Sequence, residues 1–212
     1  AEIRQANPTV EIKTLAGDIT RPDVRQALLG APPQVDILVT NAGGPPPGNF
    51  RTDTRERWLA ALEGQLLGHV EMITAVVDGM AERGFGRIVN ITSASVKMPI
   101  QNLGLSTAAR MALTGFASTI SREVVAKNVI INNLLPGPFD TDRLRGGIKF
   151  AAEKAGVSFE EAYRARLGEN PAGRFGTAEE FGKVCAFMCS AHFGFITAQN
   201  VLMDGGAFPG NI

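Results

Sequence analysis

Short apolar runs that stop at a polar or glycine-rich turn recur along this chain, separated by segments with helical spacing. That alternation restricts the fold to a layered α/β sheet. The runs are VEIKTLA before Gly17-Asp18, DILVT before Asn41, RIVNIT before Ser93, VIINNLL before Pro136 and NVLM before Asp204. They predict strands at Lys13–Ala16, Ile37–Thr40, Ile88–Thr92, Ile130–Leu134 and Val201–Met203. Val35 to Val39 is apolar enough for a parallel strand covered on both faces. Between the runs, Asp23–Leu29 suits a short helix. From Thr52 to Met80, Trp58, Leu62, Leu66, Val70 and Ile73 recur at threes and fours and predict one long helix on the sheet. Another helix is expected over Leu105–Ala126, and a last one is capped by Thr177 with Glu180 three residues on. The opening AEIRQANP has the form of a helix tail broken at Asn7 and Pro8. The sum is a mostly parallel sheet flanked by helices on both faces.

Composition narrows the function classes. With 212 residues, the chain suits one α/β domain spanning 1–212. Lys and Arg number 21, balanced by 21 Asp and Glu, and both signs are scattered. Nothing in that balance offers a footprint for nucleic acid or an anionic membrane. No apolar run reaches the roughly 20 residues that span a bilayer, and the N-terminus lacks the basic-then-apolar pattern of a signal peptide. The expectation is a cytoplasmic protein without membrane partners. Cys185 and Cys189 stand four apart on one helical face, read as buried thiols, and no metal site is expected.

The stretch GRIVNITSASVKMPIQNLGLSTAARMALTG, 86 to 115, is where chemistry concentrates. A strand ends in Thr92-Ser93, a polar link follows, and a helix begins near Leu105. This segment resembles that of the short-chain dehydrogenase/reductase family, which carries a serine at the strand end and a tyrosine and lysine four apart on the next helix. The resemblance assigns Ser93 to the serine that orients the substrate carbonyl. Ser106 falls on the tyrosine that exchanges the substrate proton, and Arg110 on the lysine that lowers its pKa and holds the cofactor ribose. A serine hydroxyl is a far weaker acid than a phenol of pKa about 10, and a guanidinium keeps its proton above about 12. Arg110 can hold a ribose but cannot relay protons. The only tyrosine, Tyr163, and Lys97 in the loop after Ser93 are the other acids to weigh.

Further matches run through the chain. NAG at Asn41, Ala42 and Gly43 is similar to the family's adenosine-side turn, and Asp18 to the aspartate that contacts adenine. Pro136, Gly137 and Thr141 match a turn beside the nicotinamide and a threonine on the phosphates. Gln65 stands where the family has an asparagine holding a relay water; read from the residues alone, a satisfied core amide is the alternative. His69, one turn on, is expected to be structural. The Arg-x-Gly turn at 174–176 and Asp-Gly-Gly at 204–206 match the family's ending, with Ala198 where glycine is usual. The segment 141–170 corresponds to the substrate lid, and the helices from Thr54 and from Leu105 to the faces that form homodimers or homotetramers.

What the resemblance implies is a Rossmann-like, doubly wound parallel sheet that lacks the first two strands in these 212 residues, with an apolar edge at Ile37. The glycine-rich pyrophosphate turn that follows the family's first strand has no counterpart before Asp18. The chain is therefore read as N-terminally incomplete and is not expected to hold a dinucleotide by itself. The implied function is an oxidoreductase that moves a hydride between NAD or NADP and a small carbonyl or alcohol. The alternative is a catalytically silent relative that binds a dinucleotide or a partner.

Overall fold

The structure is a computed structural model and describes residues 2–211. In chain order its main elements are α1 (Glu2–Ala6), α2 (Pro22–Leu29), β1 (Ile37–Thr40), α3 (Arg55–Leu62), α4 (Gly68–Arg83), β2 (Gly86–Ile91), α5 (Gly104–Val124), β3 (Val129–Pro136), α6 (Asp142–Ala155), α7 (Phe159–Gly168), α8 (Ala178–Met188) and β4 (Asn200–Met203). All three strand pairings are parallel, in the order β1-β2-β3-β4. The layered α/β reading holds, and each connection carries at least one helix.

Side-chain alternation along the strands divides the core into two faces. On one, Leu38, Ile88, Val129 and Ile131 meet Met72, Ile73, Val76 and Met80 of α4 and Leu113 and Ala117 of α5. On the other, Val89, Ile91, Ile130 and Leu134 pack on Met188 of α8 and on Phe193. β1 lies at the sheet edge, where Ile37 and Val39 remain 49% and 44% exposed. The edge position matches what the resemblance implies, but one face of β1 is open, not covered on both as its apolar run predicts, since Ile37 and Val39 stay exposed while Leu38 and Thr40 are buried.

One register row crosses all four strands with polar side chains. Thr40, Asn90, Asn133 and Asn200 are aligned partners. Thr40 Oγ1 donates to Asn90 Oδ1 (2.8 Å), Asn90 Nδ2 to Asn133 Oδ1 (3.1 Å), and Asn133 Nδ2 to Asn200 Oδ1 (2.9 Å). Each amide in the middle of the row is both donor and acceptor, so a buried polar line is satisfied without water. It runs from the C-terminal ends of β1 and β2 through the middle of β3 to the start of β4.

Two expectations are corrected. Lys13–Ala16 forms no strand: the residues are irregular and exposed. Alternation alone does not make a strand, because the ladder hydrogen bonds need a neighbour, and β1 pairs only with β2. The segment is tethered instead by side chains. Lys13 Nζ donates to the Ala31 carbonyl (3.2 Å), and buried Arg25 holds the Ile19 carbonyl (2.7 Å) while pairing with Glu63 and Glu71. The long helix after Thr54 is also interrupted. Between α3 and α4, Glu63–Leu67 forms a π-helical turn, a local widening that recurs at functional sites.

The capping box at Thr177 and Glu180 forms as expected, and a second, at Ser158 and Glu161, starts α7. Ala198, which departs from the glycine usual in the family this ending resembles, sits at φ 60° while its N–H donates to the Ile131 carbonyl (2.9 Å). A left-handed backbone costs an L-residue about 1–2 kcal/mol, offset in part by the roughly 0.5–1 kcal/mol of chain entropy that glycine loses. Ala198→Gly should therefore stabilise the fold by about 0.5–1 kcal/mol. A lower urea midpoint for the variant would contradict this.

Candidate active site

The C-terminal end of β2 carries the centre of the site. Arg110 reaches it from α5 and binds backbone: Nη1 donates to the carbonyls of Ile91 (2.9 Å) and Thr92 (2.6 Å). Its Nε donates to Ser106 Oγ (3.3 Å), one helical turn earlier. The two residues standing in the tyrosine and lysine places are thus in contact. Ser106 is 7% exposed. Ser93 follows β2 and caps the short 3₁₀ turn Ala94–Val96, its Oγ accepting from the Ser95 N–H (3.1 Å). Both hydroxyls accept a bond here, which leaves each with a proton to donate.

The π turn delivers Gln65 to the same place. Gln65 is 1% exposed, and neither Oε1 nor Nε2 has a protein partner. The satisfied core amide weighed as the alternative is therefore not what the fold builds. A Cβ added at Gly44 would lie 2.7 Å from Gln65 Nε2, 3.4 Å from Ser106 Oγ and 3.6 Å from Arg143 Nη2. Only glycine leaves that convergence of three polar groups clear.

Charge at this point is one-sided. Burial, and then the neighbouring Arg143, pull the Arg110 guanidinium down to about 10. Neither arginine has an ion-pair partner among the described residues. The nearby carboxylate of Asp53 is taken by Arg57 (2.7 Å). His69, one turn beyond Gln65, is held down to about 4 by burial and then by the Arg110 charge, so it stays neutral, with Nδ1 unpaired. Thr92 Oγ1 and Ser95 Oγ are likewise buried without partners. Apart from Asp53 Oδ1, which the Arg57 ion pair satisfies, six buried side-chain atoms are left unpaired among the described residues, and five of them belong to Gln65, His69, Thr92 and Ser95. Unpaired buried polar atoms are rare in folded proteins and cost about 1–3 kcal/mol each. Their gathering around Arg110 marks a site that a ligand or water completes.

Of the remaining sequence-predicted residues, Asn41, Ala42, Gly43, Pro136 and Gly137 lie at the ends of β1 and β3, Thr141 at the start of α6 and Asp18 in an irregular turn. Asn41, Ala42 and Gly43 follow β1, with Asn41 and Gly43 exposed and open space where a Gly43 side chain would be. Pro136 closes β3. Gly137 passes so close to β4 that a Cβ would lie 2.6 Å from Asp204 Cβ, and its N–H donates to the Met203 carbonyl (2.8 Å). Thr141 caps α6, its side chain accepting from the Leu144 N–H (3.3 Å). Asp18 holds its own turn by accepting from the Thr20 N–H and hydroxyl (2.9 and 2.8 Å), and these two bonds lower its pKa. No hydrogen bond joins Asp18 to Asn41, Ala42 or Gly43.

The two stand-in acids make no hydrogen bond to these groups among the described residues. Tyr163 packs in an aromatic cluster on α7, 5.7 Å from the Phe159 ring and 5.2 Å from that of Phe175. Lys97 lies over the Phe208 ring at 5.8 Å. The cysteines are half-buried, free and packed beside Met188, not fully enclosed as the sequence reading had them, because α8 turns part of that face outward. No cluster of three His, Cys, Asp or Glu that could hold a metal, and no helix long and apolar enough to cross a membrane, occurs among the described residues. A cavity of about 340 Å³ lies apart from these groups, between Phe139, Asn170, Arg174 and Asp204. It contains none of the unpaired atoms. Arg143 was missed from sequence; its place two residues after Thr141 was the available signal.

The family model described as enoyl-(acyl carrier protein) reductase matches residues 2–207. The acetoacetyl-CoA reductase of Cupriavidus necator is 33% identical over 178 residues, which cover 84% of this chain and 68% of the relative. The chain belongs to the short-chain dehydrogenase/reductase family. The 3-oxoacyl-[acyl-carrier-protein] reductase FabG of Vibrio cholerae is 29% identical, with 92% of this chain and 78% of the relative covered. Among solved structures, an actinorhodin polyketide ketoreductase with NADPH superposes at a TM-score of 0.89 with 28% identity, over 100% of this chain and 82% of that one. The activity class, hydride transfer with NAD or NADP, comes with membership of this short-chain dehydrogenase/reductase family.

The residues present fit such a cofactor at its adenosine and nicotinamide ends. Asn41 and Gly43 lie open at the end of β1, the Pro136-Gly137 turn is held rigid against β4, and Arg110 stands between them at the end of β2.

Proposed function

We propose that this protein, in a form that also supplies a glycine-rich pyrophosphate turn, transfers a hydride between NAD or NADP and the carbonyl or alcohol carbon of a small molecule, through a catalytic set without a phenol. The observation that carries the reading is the cluster of unpaired polar atoms around Ser106 and Arg110, at the strand ends where this family works. Asp18, Asn41, Ala42 and Gly43 would take the adenosine half, Pro136, Gly137 and Thr141 the nicotinamide and phosphates, and Arg110 the ribose. When bound, the nicotinamide supplies or accepts the hydride. The chain's own work is polar. The free protons of Ser93 and Ser106 hydrogen-bond the substrate oxygen, and the buried Arg110 charge favours the negative charge that develops there. A water held by Gln65 Oε1 would give the proton that the reduced oxygen takes up, or receive it in the reverse direction. The segment 141–170, built from α6 and α7, acts as the lid.

We place the protein in the cytoplasm as a homodimer or homotetramer, since α3, the π turn and α5 leave Leu59, Leu67 and Met111 half-exposed. The second reading, a silent dinucleotide or partner binder, is favoured by one feature: neither Tyr163 nor Lys97 hydrogen-bonds to the site. A panel of ketones and oxo acids assayed with NADH and NADPH, up to millimolar cofactor, separates the two. Steady turnover lost in Ser93→Ala supports the oxidoreductase. Saturable cofactor binding without turnover supports the silent binder.

A further inference from the structure

The site carries more positive charge than its reaction requires, and that excess has a shape. Arg143 on the first turn of α6 brings Nη2 to within 3.6 Å of the point where a Gly44 side chain would start, and Gln65 Nε2 and Ser106 Oγ meet the same point. Gln65 is almost wholly buried with both amide atoms unpaired. Two of the three groups are nitrogen donors and the third is a hydroxyl able to donate, so the missing partner is an acceptor. Behind them the Arg110 guanidinium is fixed by backbone carbonyls and has no carboxylate to neutralise it. A buried cation without a counter-ion is costly unless an anion completes it. A guanidinium and an amide side by side suit the planar, two-oxygen face of a carboxylate.

We propose that the site takes a substrate bearing a free carboxylate, a small oxo acid or the corresponding hydroxy acid, whose carboxylate lies against Arg143 and the Gln65 amide beside Gly44 while its carbonyl faces Ser93 and Ser106. The proposal rests on the oxidoreductase reading for its carbonyl. Its anion contact stands without it. Arg143 is then the specificity-determining residue: it is exposed, its side chain makes no hydrogen bond among the described residues, and it belongs to the segment 141–170.

The test is calorimetry on the whole chain with malonate, dimethyl malonate and inorganic phosphate as probes. Malonate should bind and its dimethyl ester should not. Arg143→Gln and, separately, Gln65→Leu should each weaken malonate by about 10- to 100-fold, the worth of a charge-assisted hydrogen bond. Equal binding of acid and ester, or no loss in Arg143→Gln while circular dichroism shows an intact fold, overturns the proposal. So does Arg143-dependent binding of phosphate with none of malonate, which would assign the anion to a cofactor phosphate. Malonate binding without turnover of any oxo acid upholds the anion site and removes the oxidoreductase reading. Turnover of acids and esters at equal kcat/KM does the reverse.

Discussion

A Ser106→Tyr, Arg110→Lys double variant gains carbonyl reductase activity by about 10²- to 10⁴-fold, the usual worth of a positioned general acid. Ser106 and Arg110 already touch, with Nε donating to Oγ over 3.3 Å, so the replacement pair would begin in register on one face of α5. The native pair has the geometry without the acidity. A serine hydroxyl holds its proton far more tightly than a phenol of pKa about 10. Even pulled down to about 10, Arg110 remains a fixed cation at neutral pH. Arg110→Lys alone should bring no gain, because the ammonium would have no phenol to tune. No gain in the double variant, with its fold intact, would contradict the assignment of these two positions.

Below neutral pH the fold should weaken through His69. Burial, and then the Arg110 charge, hold the imidazole at about 4 in the native state, whereas an unfolded chain titrates near 6.5. Between those values the unfolded state binds a proton that the native state refuses, so stability falls as pH falls, at up to about 1.4 kcal/mol per pH unit. The loss begins near pH 6.5 and levels off below about 4. Carboxylates dominate the lower part of that range, so the clean window is pH 6.5 to 5, where the His69 share is about 1–2 kcal/mol. Urea midpoints at pH 7, 6 and 5 should fall for the native chain and stay nearly flat for His69→Gln. Parallel curves would mean that His69 is protonated in the fold without cost.

What was legible in the sequence was what is decided locally. Ile37–Thr40 and the Thr177 and Glu180 cap follow from apolar runs and from one side chain reaching three residues on, and both are where the pattern puts them. Lys13–Ala16 shows the limit, since a strand is a relation between two segments and alternation describes only one. The π turn is hidden for a similar reason: the apolar spacing of Leu62, Leu66 and Val70 continues through it, and only the backbone reveals the extra residue. Ser93, Ser106 and Arg110 could be named because they are close in sequence. Arg143 could not, as its meeting with Gln65 beside Gly44 depends on how α6 is placed against the strand ends. Whether a buried amide is satisfied is a tertiary fact, and Gln65 is the residue where this matters most.

The most direct measurement follows a labelled hydride. With an accepted oxo acid, NADH or NADPH deuterated at the transferring face of C4 should deliver its deuterium to the carbinol carbon of the product. Ser93→Ala should cut that transfer by the 10²-fold or more typical of a lost oxyanion donor. Deuterium retained by the nicotinamide across the whole substrate panel, with the cofactor saturably bound, would contradict hydride transfer as the function of this site.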